Sequence, residues 1–159
     1  MAKRTLASSA DKQQIVGRLE KIQPNSMRSW GVMTANEMIC HLADSFRMVI
    51  GEKPVGPLTE KLLPVSLPVP VLKWLVLDFP LPWPKGVKTR REVDPRRDGA
   101  KPTQFAADKR ELQRLLERFT RQPRDFEWHP HPMLGALRDD EWQRWGYLHM
   151  DHHLRQFGA

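Results

Sequence analysis

Apolar residues recur at helical spacing in four separate blocks of the chain. In the first, Ile15, Val16, Leu19 and Ile22 alternate with Arg18, Glu20 and Lys21, which predicts an amphipathic helix opening near Ser8 and Ser9 and ending before Pro24. The second block has the clearest start. Thr34 and Glu37 stand at capping-box spacing, with Met33 and Met38 as a hydrophobic staple around them, so a helix is expected from Ala35 to a stop at Gly51. Met38, Leu42, Ser45 and Val49 form its inward stripe, and His41 lies beside Leu42 on that stripe. In the third block Thr103 is the expected N-cap, Phe105, Leu112, Leu115, Leu116 and Phe119 face inward, and Pro123 closes the helix. The fourth opens on Asp139, Asp140 and Glu141, whose charges suit the positive end of a helix dipole. Trp142, Trp145, His149, His153 and Gln156 then fall on one face.

Between the second and third blocks the pattern changes. From Leu62 to Trp83 the chain is apolar but interrupted by Pro64, Pro68, Pro70, Pro80 and Pro82, a density that excludes one long helix. Val71–Leu77 can form a short one. Lys73 is the only basic residue inside the run, so the stretch reads as a cover over the domain or a homodimer contact, not a membrane-surface anchor.

Length and composition add limits. A chain of 159 residues reads as a single domain, 1–159, large enough to bury a core without disulfides. The N-terminus carries no apolar signal segment and no run is long enough to span a bilayer, so a soluble cytoplasmic protein is expected. The single cysteine, Cys40, fits a reducing compartment and reads as a small packed residue. The formal charge of +7 is concentrated between Lys85 and Lys101, where seven basic residues stand against three acidic ones. That segment has no aromatics between its charges and matches no nucleic-acid module, so it reads as a solvated loop and no specific nucleic-acid partner is expected.

The candidate chemistry is histidine chemistry. His149 and His153 are one helical turn apart, offset by about 40° with Cβ atoms ~6 Å apart, so both imidazoles can reach one ion. A pair holds metal weakly, and His41, on the buried stripe of the second helix, is the candidate third ligand because a buried imidazole needs a partner. His152 is rotated about 100° from His153 and is expected outside the ligand set. Three imidazoles accept zinc, nickel or iron(II) alike. Glu37 and Asp44, within a turn of His41, are candidates to orient ligands, or else a cap and a surface carboxylate. His129 and His131 lie on a rigid His-Pro-His-Pro turn and can approach the site or remain solvated.

With His41 in Glu37-Met38-Ile39-Cys40-His41-Leu42, and His149 with His153 in His149-Met150-Asp151-His152-His153-Leu154-Arg155-Gln156, the chain resembles the DinB/YfiT-like superfamily. It looks closest to a branch carrying a loop like His131-Pro132-Met133-Leu134-Gly135 before the last helix. The resemblance implies an all-α, up-down-down-up four-helix bundle, here with a proline-rich insertion between helices two and three. It also implies a divalent metal held by one histidine from helix two and a spaced pair from the last helix, frequent homodimers and, in some members, thiol-dependent transferase or isomerase activity. A three-imidazole site leaves metal positions open to activate water or a thiol. A metal-dependent thiol transferase or hydrolase acting on a thiol or electrophilic small molecule is therefore one expectation. A non-catalytic metal- or small-molecule-binding protein is another, and a nucleic-acid-binding protein using Lys85–Lys101 a third.

Overall fold

The computed structural model describes residues 3–56 and 66–159, and these form five α-helices and no strand: α1 Ser9–Glu20, α2 Ala35–Val49, α3 Val69–Leu77, α4 Phe105–Thr120 and α5 Asp139–Gln156. A single 3-10 turn, Arg91–Val93, lies between α3 and α4. None of the helices is long and apolar enough to cross a membrane.

The start of α2 follows from two side chains. Thr34 Oγ1 accepts from the Glu37 backbone N–H at 3.2 Å, and Glu37 Oε2 accepts from the Thr34 N–H at 2.7 Å. Met33 and Met38 are both buried beside them. At the other end Gly51 takes φ +83°, which lets the chain leave the helix through a left-handed residue. Thr34→Ala should lower unfolding free energy by about 1 kcal/mol. Urea denaturation would read this directly, and an unchanged midpoint would show that tertiary packing alone sets the helix start.

Periodicity expected one buried stripe on α2, but twelve of its residues are buried, which makes it the centre of the fold. It packs against α4, α5 and the 91–93 turn, while α1 and α3 lie on α5. Phe46 meets Phe119 of α4 at a ring-centroid distance of 4.8 Å and Trp145 of α5 at 6.3 Å. Each such side chain contributes roughly 1.5–3 kcal/mol by leaving water. Gly146 permits the closeness of this core. A Cβ there would lie 2.7 Å from Leu6 Cδ1 and 2.8 Å from Phe119 Cε1.

Three local expectations are corrected. The helix expected to be capped by Thr103 has Gln104 as its N-cap, without a side-chain bond. Thr103 instead gives both its N–H and its hydroxyl to the Asp108 carboxylate, at 2.8 and 2.7 Å. The Lys85–Lys101 segment is not simply a solvated loop, because Arg90, Val93 and Asp94 are buried and Val93 belongs to the core. Asp44 is not a surface carboxylate: it is 1% exposed and receives Arg47, Lys53 and the Ala100 N–H. Three charge-assisted or backbone donors of this kind explain how a carboxylate can sit inside a helix core.

Of the Leu62–Trp83 stretch, residues 62–65 fall outside the described residues. The remainder contains α3, two residues longer at its start than the expected Val71–Leu77. Lys73 reaches Glu141 and the Ala136 carbonyl, and Arg144 donates to the Leu77 carbonyl at 3.0 Å. These bonds hold α3 on α5 with Leu72, Val76 and Leu77 turned to the core. Val69, Val71, Trp74 and Leu81 remain exposed.

Candidate metal centre

His41 leaves the middle of α2, where it is 5% exposed, and meets two side chains from the last two turns of α5. Its ring centroid lies 5.1 Å from that of His149 and 4.7 Å from that of His153, and the latter two are 5.0 Å apart. One ring nitrogen from each of the three falls within 4.8 Å of the others, a set that can hold a metal ion. His152 is not part of that set.

Hydrogen bonds fix which nitrogen is available on two of the three rings. His41 Nδ1 is 2.8 Å from the Val93 carbonyl oxygen. A carbonyl only accepts, so the proton of neutral His41 is on Nδ1 and Nε2 carries a lone pair. His153 Nδ1 is 3.1 Å from Gln156 Oε1. The Gln156 amide is oriented by its own Nε2 donating to the Trp30 carbonyl at 2.8 Å, so His153 likewise has Nε2 free. Both arrangements are the outer hydrogen bonds that hold imidazole ligands in the correct tautomer.

The closest pair of ring nitrogens suits a shared ion. His41 Nε2 and His149 Nε2 are 3.1 Å apart, and two ligand bonds of about 2.05 Å spanning that gap enclose about 98°. Burial, with the Val93 bond opposing it, moves His41 below its ordinary pKa. His149 and His153 are pushed well below theirs, first by burial and then by neighbouring imidazoles. All three rings are therefore neutral at physiological pH, the form that coordinates. His149 Nδ1 is buried and has no partner among the described residues.

Above the triad opens a cavity of about 610 Å³. Its walls are largely apolar: Met48, Leu72, Val76, Phe79 and Trp83 contribute, and no Asp or Glu lines it among the described residues. The Trp83 ring lies 5.8 Å from His149 and 5.9 Å from His152, and its Nε1–H is satisfied by the Val76 carbonyl at 2.8 Å. Its burial and the Arg155 charge push His152 down to about 4.

The remaining sequence candidates separate. Glu37 caps α2, and Asp44 is committed to Arg47, Lys53 and Ala100, so neither contacts the triad. Cys40 is buried and its thiol is pushed up to about 12, chiefly by burial, so it is a packed residue and not a nucleophile. His129 is exposed and uses its backbone N–H on the Val49 carbonyl. His131, by contrast, lines the cavity. Sequence reasoning placed Gln156 on the inward face without giving it a task and passed over Val93. Only the spacing of Gln156 three residues after His153 could have signalled its role.

The chain belongs to the family described as "Protein of unknown function (DUF1569)", which it matches over residues 7–159. No curated protein and no solved structure matches the chain.

Proposed function

We propose that this protein is a divalent-metal-binding member of the DinB/YfiT-like group that uses His41, His149 and His153 as ligands for metal-dependent transfer of a small-molecule thiol. In this reading α1, α2, α4 and α5 are the up-down-down-up bundle, and α3 with its flanking prolines is an insertion that roofs the site. The observation that carries the proposal is the pair of protonated Nδ1 atoms, locked by the Val93 carbonyl and the Gln156 amide. They leave lone pairs converging beneath an apolar cavity. A divalent ion there would supply Lewis-acid activation of a thiol or water.

The chain's own contribution is to hold three imidazoles neutral, to exclude bulk water with Trp83, Phe79 and the α3 side chains, and to present an apolar wall. Among the described residues no Asp or Glu lines the cavity to serve as a general base for water, which supports thiol transfer over hydrolysis. Zinc, nickel and iron(II) all suit the donor set. The exposed Val69, Val71, Trp74 and Leu81 support a homodimer contact on the outer face of α3.

The test begins with chain purified without a histidine tag or added metal. Elemental analysis should find about one divalent ion per chain, and reconstituted protein should couple low-molecular-weight thiols to electrophiles in a chelator-sensitive way. Stoichiometric metal without turnover would make it a metal- or small-molecule-binding protein. Failure to bind any of the three metals would overturn the reading.

A further inference from the structure

The triad is not the only histidine chemistry facing the cavity. His131 lies in the turn before α5, its ring against Trp142 at 5.9 Å and Trp145 at 5.6 Å between centroids. Trp145 carries His149 on its ring as well, at 4.8 Å. His131 and the metal-facing His149 thus share one indole, and both line the same cavity.

Local backbone geometry fixes the His131 tautomer. The N–H groups of Met133 and Leu134 both donate to its Nδ1, at 3.2 Å each. The loop is pinned further by reciprocal backbone bonds between His131 and Gly135, both 2.8 Å. Since Nδ1 accepts, the ring proton is on Nε2. Nε2–H is then the one polar group of the ring not used by the loop, carried by a side chain that lines an apolar cavity. Arg90, the nearby cation, is engaged by Glu92 through Nε and Nη2. Burial and the Arg90 charge push His131 down to about 4, so near neutral pH the ring is an uncharged donor and not a proton shuttle. A neutral donor matches an uncharged acceptor: a cation would give up its hydration with no carboxylate lining the cavity among the described residues, and an anion would pair with Lys88, which also lines it, before a neutral imidazole.

We propose that His131 is a substrate-positioning residue whose Nε2–H binds the carbonyl-type oxygen of an apolar, uncharged molecule held over the metal site. The proposal rests on the reading of the cavity as the substrate site. It narrows the electrophilic substrate to a neutral carbonyl-bearing compound with a hydrophobic body, of a size that a cavity of about 610 Å³ admits.

Two substitutions separate this role from loop support. The Asn amide oxygen can occupy the place of Nδ1, so His131→Asn retains the acceptor for the loop and loses the cavity donor. Gln reaches the place of Nε2, so His131→Gln retains the donor and loses the loop acceptor. The probes are acetophenone and α-methylstyrene, which have the same shape with a CH₂ replacing the carbonyl oxygen. Binding would be read by tryptophan fluorescence on the full chain, zinc-loaded and chelator-treated.

Expected is a ketone-to-alkene affinity ratio about fivefold lower in His131→Asn than in the parent, in both metal states, with His131→Gln close to the parent. An unchanged ratio in His131→Asn overturns the proposal. So does an equal loss in both variants, which would mark His131 as loop support alone, or a loss confined to zinc-loaded protein. Failure of the parent to bind acetophenone overturns it too. Zinc stoichiometry on the same samples decides the metal reading independently: a parent that takes up no zinc yet shows the Asn-specific loss retains the His131 assignment and loses the metal.

Discussion

Single replacement of His41, His149 or His153 by alanine is expected to weaken zinc binding by more than about 100-fold, beyond the loss that removing an outer hydrogen-bond partner typically causes. His152→Ala is expected to leave the ion in place. The contrast follows from geometry. The first three rings bring one nitrogen each within 4.8 Å of the others, whereas His152 turns to Trp30 and Trp83, at 6.1 and 5.9 Å. Gln156→Ala belongs between these cases. It frees His153 Nδ1 from its 3.1 Å partner, and a loss of about tenfold is expected because the ligand remains but its tautomer and orientation are no longer fixed. Elemental analysis after gel filtration, on variants whose circular dichroism matches the parent, checks all five proteins. Full occupancy in His41→Ala together with loss in His152→Ala would remove His41 from the ligand set and the proposed reaction with it.

How much of this arrangement could be read in advance depends on the distance over which each contact acts. The α2 start was legible because Thr34 and Glu37 satisfy each other within one turn, and the α5 start because three acidic residues crowd its first turn. The His149–His153 pair was legible for the same reason: one helical turn fixes it. His41 required a further step, since its partner His149 is 108 residues away, yet its place on an apolar stripe signalled a buried imbalance needing compensation. The Val93 carbonyl gave no signal at all. Backbone carbonyls are alike in sequence, and this one lies inside a basic segment whose charges argued for solvent. The near-complete burial of α2 was hidden as well, because Asp44 breaks the apolar pattern. Asp44 is accommodated through Arg47, Lys53 and the Ala100 N–H, and the last two no periodicity reveals. For His131 the prolines announced a rigid turn, but the direction of its ring is set by Trp142 and Trp145 across the fold.

Lowering the pH from 7 to 5 is expected to destabilise the metal-free protein by at least about 2 kcal/mol, the share of His131 alone. Its pKa is pushed down to about 4 in the folded chain, against about 6.5 for a free histidine. Between those values the unfolded chain holds a proton that the folded chain does not, so falling pH draws the equilibrium toward unfolding. The contribution is whole above pH 6.5, erodes through the interval down to about 4, and is gone below it. His41, His149 and His153 act in the same direction, because burial disfavours their charged forms also. His152, pushed down to about 4 by burial and the Arg155 charge, acts the same way. Urea midpoints of chelator-treated protein at pH 7, 6 and 5 would measure the slope. A midpoint that does not move would mean that water reaches these rings and solvates their charge. His131→Asn should flatten part of the slope, since the titrating ring is gone while an acceptor for Met133 and Leu134 remains. With zinc bound the protein should be more stable at pH 7 and lose stability more steeply on acidification, because an ion that binds only the folded chain is displaced as protons take the three imidazoles.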